Sequence, residues 1–128
     1  MPMSTIEVGK KLVELCAAGK YLEAIDALYG PDIVSLEAAA MPGMPARIEG
    51  FKAVREKSEK FVRTHEIHSQ SCTGPWPHGD RLIVLMKIDT TPSEGPMAGK
   101  RMQFDEACLY TVKDGKIVQE EFFYSMPG

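Results

Sequence analysis

The chain has 128 residues, of which 44% are hydrophobic and 26% are charged, and its formal net charge is −3. This length and composition are typical of one globular domain, here residues 1–128, built around a single hydrophobic core. The slightly acidic balance and the lack of Lys/Arg runs argue against a general affinity for nucleic acid or membranes, and no apolar run reaches membrane-spanning length.

Two short helices are predicted at the start of the chain. Ser4 followed by Glu7 is a capping-box pattern, and Gly19 is a stop signal. The first helix between them has an apolar face made of Val8, Leu12, Leu15 and Cys16. The second helix ends near Gly30, and its apolar face is made of Leu22, Ile25 and Leu28.

A strand, a loop and a third helix follow. Residues 32–39 read as a strand, and the prolines and glycines of residues 40–50 predict a loop. The third helix begins near residue 51 and carries charges on most of its surface. Its predicted apolar stripe is Phe51, Val54, Phe61 and Val62.

The second half of the chain predicts four strands. Residues 66–73 form a weak strand, and a turn at 74–80 leads into the strongly apolar run 81–89. After a loop rich in Gly and Pro at 92–100, the last two strands form a hairpin through the KDGK sequence at 113–116. Helices first and antiparallel strands later predict an α+β fold, a curved sheet with helices packed on one face.

The register of the closing hairpin predicts which of its side chains are buried. A type I turn at 113–114 with Gly115 as a bulge would pair Val112 with Lys116. Side chains alternate between the two faces of each strand. We assign the more aromatic face to the interior, and it contains Phe104, Glu106, Cys108, Tyr110, Val112, Val118, Glu120, Phe122 and Tyr124.

This assignment places two acids inside the protein. Glu106 and Glu120 would point inward as neighbours among aromatic side chains. The opposite face carries Leu109, Ile117 and Phe123 and is therefore partly apolar too. A homodimer through this outer face of the sheet would bury them.

The element order, Gly19 between the first two helices, the loop 41-MPGMPARIEG-50 and the closing 112-VKDGKIVQEEFFY-124 resemble the nuclear transport factor 2-like superfamily. The SnoaL-like branch, which includes polyketide cyclases, is the most similar. The resemblance covers essentially the whole chain. It implies a cone-shaped, strongly bent antiparallel sheet wrapped by three helices around a pocket, usually dimeric through the outer sheet face. The fold hosts enzymes and binding modules alike, so it does not determine the activity.

Ketosteroid isomerase is a more distant relative of this fold. Similarity to it implies that Glu37 lies at the position of the general base. It also implies Cys108 at the position of the oxyanion-hole aspartate, and about Leu12 at that of the oxyanion-hole tyrosine. Because neither is a strong hydrogen-bond donor, steroid isomerisation by that mechanism is not expected. The similarity also implies pocket-lining positions for Glu120, Phe122 and Tyr124.

Glu37, Glu106 and Glu120 are therefore the candidate catalytic residues. Carboxylates sharing an apolar pocket cannot all ionise, so one takes a raised pKa and acts as an acid while another stays a base. This chemistry predicts an isomerase or cyclase that acts on a small hydrophobic carbonyl compound, or a hydrolase of the epoxide-hydrolase kind. The candidate pocket-lining residues are Cys108, Tyr110, Phe122, Tyr124 and His68.

A non-catalytic alternative stays open, namely a small-molecule-binding or dimerisation module on the same fold. Glu106 would then form a structural ion pair with Arg47 or Lys100, and Glu37 would order the Pro-rich loop. The two hypotheses make different structural predictions. Acids that converge without a neutralising cation favour an enzyme, whereas paired and sealed carboxylates favour a scaffold.

We expect no cofactor and no metal. Cys16, Cys72 and Cys108 are too few and too scattered for a disulfide framework or a zinc site, and they predict reduced thiols in a cytoplasmic protein. His65 and His68 straddle a helix–strand boundary, which does not favour a metal site. The predicted partners are a small hydrophobic molecule and a second copy of the chain, not nucleic acid or a membrane.

Overall fold

The computed structural model describes residues 2–41 and 43–125 of the chain. Over these residues it contains three helices and six strands: α1 (Thr5–Ala17), α2 (Tyr21–Leu28), β1 (Tyr29–Leu36), β2 (Arg47–Glu49), α3 (Phe51–Thr64), β3 (His65–His78), β4 (Arg81–Pro92), β5 (Met102–Lys113) and β6 (Lys116–Phe123). The predicted α+β class is confirmed. Several boundaries differ from the sequence prediction. Strand β2 lies within the predicted loop, and β3 extends through most of the predicted turn. Strand β1 spans 29–36 where 32–39 was predicted, and β4 continues three residues beyond the predicted 81–89.

The helices form where local sequence signals agree. Ser4 caps α1 by accepting a hydrogen bond from the Glu7 backbone N–H at 3.3 Å, and the Glu7 carboxylate accepts one from the Ser4 N–H at 2.9 Å. The predicted apolar faces of α1 and α2 are turned to the core. In α3, Val54 is fully buried, but Val62 is 41% exposed, so its place in the predicted stripe was wrong.

The sheet has the strand order β2-β1-β6-β5-β4-β3. Every neighbouring pair is antiparallel except β1 and β6, which run parallel. The sheet is therefore mixed, where the sequence predicted antiparallel pairing throughout. Strands β3 to β6 follow one another through short connections that favour antiparallel pairing. The β1–β6 pair joins distant parts of the chain, so no turn between them fixes its direction.

The core lies between the helices and the inner face of this sheet. Strand β4 shows the alternation that builds it: Leu82 and Val84 are buried, whereas Ile83 and Leu85 are 40% and 44% exposed. Helix α1 packs across β3 and β4, and α3 packs across β1. No helix in the described part of the chain is long and apolar enough to cross a membrane.

The β5–β6 hairpin corrects the predicted register. Asp114 and Gly115 both have positive φ, 51° and 77°, so they form a two-residue turn closed by the Lys113–Lys116 pair. A bulge follows, because Val112 pairs with Ile117 whereas Thr111 pairs with Gln119.

This bulge explains which side chains of β6 are buried. Ile117 was predicted on the outer face but is fully buried, and Glu120, three residues later, is 2% exposed. An odd separation between two inward side chains requires the extra residue of a bulge. The turn and the bulge each shift the register by one residue. Beyond residue 118 the two shifts add up to two residues, which restores the predicted face but changes the partner, so Glu120 faces inward, as predicted, but opposite Tyr110 instead of Cys108.

Candidate functional site

A cluster of charged side chains lies between α3 and the inner face of the sheet. Glu37 directly follows β1, Glu106 lies on β5, Glu120 lies on β6, and Lys57 projects from α3. The Lys57 side chain is only 11% exposed, and those of Glu37 and Glu120 are 21% and 3% exposed. The three acids predicted from the sequence are thus accompanied by a buried cation.

Lys57 connects two of these carboxylates. Its Nζ donates to Ser35 Oγ at 2.5 Å and to Glu37 Oε1 at 2.8 Å, and it lies 3.7 Å from Glu120 Oε2. The same ammonium group is 5.0 Å from the centroid of the Phe122 ring, within the range of a cation–π contact. The polar partners of this ammonium group in the described residues are therefore two of the acids and Ser35, which itself donates to Glu120.

Glu120 is the most enclosed acid of the cluster. Its Oε1 accepts a hydrogen bond from the Tyr29 hydroxyl, and its Oε2 accepts one from Ser35 Oγ at 2.6 Å. Burial raises the pKa of Glu120, and Lys57 and the two hydroxyl donors oppose this rise without reversing it. Because both oxygens accept hydrogen bonds, this arrangement fits an ionised carboxylate.

Glu37 is held in a similar way nearer the surface. Its Oε1 accepts from Lys57, and its Oε2 accepts from the Tyr124 hydroxyl at 2.9 Å. Burial, followed by the charge of Glu37, raises the pKa of Tyr124, so this phenol stays a proton donor. Both oxygens of Glu37 are therefore satisfied.

Glu106 differs from the other two acids. Within residues 2–41 and 43–125, no side chain forms a hydrogen bond or an ion pair with its carboxyl group. Burial raises the pKa of Glu106 to about 7, the charge of Glu37 and then of Glu120 adds to this, and Lys57 opposes it. The alternative partner Arg47 is paired with Glu49. Glu106 is thus a half-buried carboxyl that gains and loses its proton near neutral pH.

A groove opens beside the cluster at the carboxyl ends of the parallel strands β1 and β6. Its volume is about 320 Å³, and its lining residues are Leu36, Glu37, Ala38, Glu121, Phe122, Phe123 and Tyr124. The groove therefore combines apolar and aromatic surface with the Glu37–Tyr124 pair. This chemistry suits a small, mostly apolar molecule with a polar group.

Of the other residues predicted to line the pocket, Cys108 and Tyr110 lie in the core below the acid cluster. Cys108 and Tyr110 are fully buried beneath the cluster, and the Tyr110 ring meets Phe122 edge to face at 6.5 Å. Burial raises the pKa of the Cys108 thiol, which makes it a packing group and not a nucleophile.

The expectation that His68 lines the pocket is corrected by the structure. Its Nε2 lies 2.8 Å from Thr91 Oγ1, on the exposed side of β3 and β4. A register shift between Ile67 and Ser69 interrupts the regular alternation of side chains in β3. The face of His68 therefore cannot be predicted by counting residues along the strand.

Three residues of the cluster were missed by sequence reasoning: Tyr29, Ser35 and Lys57. Lys57 lies three residues after Val54 and four before Phe61, so it occupies the core-facing stripe of α3, and this spacing could have identified it. Ser35 lies two residues after the fully buried Ile33 on β1, so strand alternation places it on the same buried face. Tyr29 carries no local signal, since its hydroxyl reaches Glu120 only through the β1–β6 pairing. Within the described residues, no group of three or more His, Cys, Asp or Glu side chains is arranged to hold a metal ion.

Comparison with known proteins supports the class that the fold and the cluster indicate. The cone of three helices on a bent sheet is shared with a nuclear transport factor 2-like protein of unknown function from Burkholderia pseudomallei (19% identity, TM-score 0.72, 96% of this chain and 92% of that chain). It is also shared with a candidate isomerase from Bacillus subtilis (17% identity, TM-score 0.74, 96% and 90%). At these identities the likeness shows the fold alone.

A stronger match identifies the family. The family model of the SnoaL-like domain matches residues 3–124. A candidate SnoaL-like polyketide cyclase from Mesorhizobium loti is 38% identical, with a TM-score of 0.87, over 95% of this chain and 100% of that chain. The chain belongs to the SnoaL-like family, as the sequence resemblance predicted. None of the curated proteins compared with the chain matches it.

Proposed function

We propose that the protein is a cofactor-independent isomerase or cyclase that moves a proton on a small hydrophobic carbonyl compound. The observation that carries this proposal is the carboxyl of Glu106, which forms no hydrogen bond or ion pair with a side chain in the described part of the protein and whose pKa of about 7 lets it act as base or acid near neutral pH. Similarity to a candidate polyketide cyclase supports the reaction class. Glu37 and Glu120 are the other two candidate catalytic acids, since their charges add to the effect of burial, which is the main cause of the raised pKa of Glu106.

The reaction begins with ionised Glu106. Its carboxylate removes a proton from the carbon beside the substrate carbonyl, and the electron pair of that C–H bond moves onto the carbonyl oxygen as an enolate. The Tyr124 hydroxyl, which now donates to Glu37, is the available donor for this oxygen. Return of the proton from Glu106 to a different carbon completes an isomerisation. In a cyclase, the enolate carbon instead attacks a second carbonyl of the same molecule, the π electrons of that carbonyl move onto its oxygen, and this alkoxide takes the proton back from Glu106.

Turnover of enones and polyketide-like carbonyl compounds by wild type and Glu106→Gln tests this function. We expect the substitution to lower kcat by about 100-fold or more, because the amide can neither take up nor release a proton. Asp105→Asn is the matched control, since Asp105 is the preceding residue on β5 but is exposed. Equal turnover by wild type and Glu106→Gln would remove Glu106 from the mechanism.

The dependence of activity on pH gives a second test of the same role. If Glu106 acts as the base, kcat/KM should rise with pH and level off above an apparent pKa near 7. The Asp105→Asn variant should follow the same curve. A flat profile through this region would show that no group with this titration controls the reaction.

A non-catalytic binding module is the second candidate function. The observation that favours it is Lys57, which neutralises part of the acid cluster and lies against the sealed carboxylate of Glu120. In that case carbonyl compounds would bind in the groove beside Glu37 and Tyr124 without turnover. Isothermal titration with the same compound set separates the two functions, since saturable binding without product would favour the module.

We further propose that two copies of the chain associate through the outer face of the sheet. Several large apolar side chains are exposed on that face and adjoin across neighbouring strands: Trp76, Ile83, Leu85 and Phe123. Ile83 pairs with Trp76 on one side and with Leu109 on the other. The three buried thiols Cys16, Cys72 and Cys108 support a reducing, cytoplasmic location for this assembly.

A further inference from the structure

Lys57 carries a largely buried ammonium group, and such a group stays charged only if fixed partners stabilise its charge. Moving a charge out of water is costly unless fixed partners replace the solvent. Here the replacements are Ser35 Oγ, Glu37 Oε1 and, at a longer distance, Glu120 Oε2. The exposed neighbour Lys60 on the same helix belongs to no such network. The burial of Lys57 is therefore tied to the acids.

The contacts of Lys57 argue against a chemical role of its own. Of its three N–H donors, one is used by Ser35 and one by Glu37, and the remaining side of the group faces Glu120 and the Phe122 ring. An ammonium group held in this way has no free electron pair for attack on a carbonyl. It also has no donor directed away from the cluster.

The geometry points to Lys57 as a positioning residue that keeps Glu37 and Glu120 ionised, so that Glu106 is the one carboxyl free to exchange its proton. This inference rests on the proposed function for its role in turnover. The assignment of charges can be tested without any substrate.

The charges that face this cluster come from four elements. Tyr29 and Ser35 on β1 and Tyr124 after β6 supply only neutral hydroxyl donors. Within residues 2–41 and 43–125, the charged groups at the cluster are the three carboxylates of Glu37, Glu106 and Glu120 and one ammonium, that of Lys57. Among the described residues, α1 and α2 contribute the neutral groups Cys16, which interacts with Glu120, and Tyr21, which interacts with Glu106.

Removal of the ammonium therefore changes how many carboxyl groups bind protons near neutral pH. With Lys57 present, Glu37 and Glu120 share one neutralising cation and Glu106 titrates. Without it, three carboxylates that are partly or fully buried face one another, and a second proton must bind. That second proton is expected on Glu120, the most deeply buried of the three.

The test is a carboxyl titration by ¹³C NMR of glutamate-labelled wild type, Lys57→Met, Lys57→Arg and Lys60→Met. We expect one glutamate carboxyl titrating above about pH 6 in wild type and in Lys60→Met, but two in Lys57→Met. Lys57→Arg should restore the wild-type pattern, because the guanidinium keeps the charge. A single high titration in Lys57→Met would overturn the inference.

If Lys57→Met does not fold, a double variant tests the same inference. Lys57→Met combined with Glu120→Gln removes one positive and one negative charge together, so the double variant should fold and show one glutamate titrating above about pH 6. Two such titrations in the double variant would count against the inference.

The dependence of kcat/KM on pH in the Lys57 variants provides the third test. Lys57→Met should lower kcat/KM at neutral pH by about tenfold and move the pH profile upward by about one unit, and Lys57→Arg should recover most of both. If Glu106→Gln leaves turnover intact while the titrations change as expected, the proposed reaction fails but the charge role of Lys57 stands. If Glu106→Gln is inactive but the glutamate titrations of Lys57→Met match those of wild type, the proposed reaction stands and the charge role of Lys57 fails.

Discussion

The carboxyl of Glu106 links the site to the stability of the fold. In the folded protein its pKa is raised from 4.5 to about 7, whereas in the unfolded chain it returns to the ordinary value. Between these two pKa values the folded state keeps a proton that the unfolded state has lost. The free energy of unfolding therefore falls as the pH rises through this window.

Glu106→Gln removes this pH dependence. Between about pH 5 and about pH 8, we expect wild type to lose up to about 3 kcal/mol of unfolding free energy relative to the variant. Urea denaturation across this range measures the difference. Asp105→Asn should parallel wild type, because Asp105 is exposed. If the Glu106→Gln curve also parallels wild type, the carboxyl is not held in the environment described here.

Ser35 gives a second prediction at the scale of one residue. Its hydroxyl is fully buried, donates to Glu120 and accepts from Lys57. Ser35→Ala leaves a buried carboxylate oxygen with one donor fewer, and we expect a loss of about 1–3 kcal/mol in unfolding free energy. Ser71→Ala, on the exposed side of β3, should change it by less than about 0.5 kcal/mol. Thermal or urea unfolding compares the two, and equal losses would contradict the buried network.

At the scale of elements, helices were easier to predict than strands. The capping box of α1 and the apolar faces of α1 and α2 are local features, and the structure reproduces them. The GPWPH sequence at 74–78 predicted a turn, yet Trp76 and Pro77 pair with β4. Tertiary pairing overrides local turn propensity there, with a register shift that accommodates the Gly-Pro step.

Gly115 tests the hairpin that carries Glu106 and Glu120. Its φ of 77° favours glycine, and an added Cβ would lie 2.8 Å from Pro2 Cβ and 2.9 Å from the Met3 backbone N. Gly79, in the β3–β4 turn, has a φ of 63° but open space around it. We expect Gly79→Ala to cost about 1 kcal/mol for the backbone strain alone and Gly115→Ala to cost more. Equal melting temperatures for the two variants would show that the N-terminal segment does not crowd the turn.

At the scale of the whole molecule, the fold could be predicted from the sequence, but only some of the side chains in the acid cluster could be. Alternation in the strands placed Glu106 and Glu120 on the inner face, although the predicted register of the hairpin was wrong by two residues, an even number that leaves the face unchanged. Lys57 was absent from the prediction because it reaches the acids from another element, α3, across the β1–β6 pairing. Contacts between elements distant in sequence leave little trace in local patterns.

The outer face of the sheet carries the last prediction. Leu85 and Phe123 are 44% and 52% exposed, and Ala107 lies between them as the strand neighbour of both. Such a patch on a sheet is typical of an interface, and its burial against a second copy would remove apolar area from water on both chains.

Replacing both residues, Leu85→Lys with Phe123→Lys, should therefore weaken a dimer by about tenfold or more, since each lysine would place a charge in the interface. Sedimentation equilibrium over a range of concentrations measures the change. Val62→Lys is the control, because Val62 is 41% exposed but lies on α3, on the opposite side of the sheet. A monomeric wild type would contradict the proposed dimer, and a Val62→Lys variant that dissociates as readily as the double variant would show that the outer face of the sheet is not the interface.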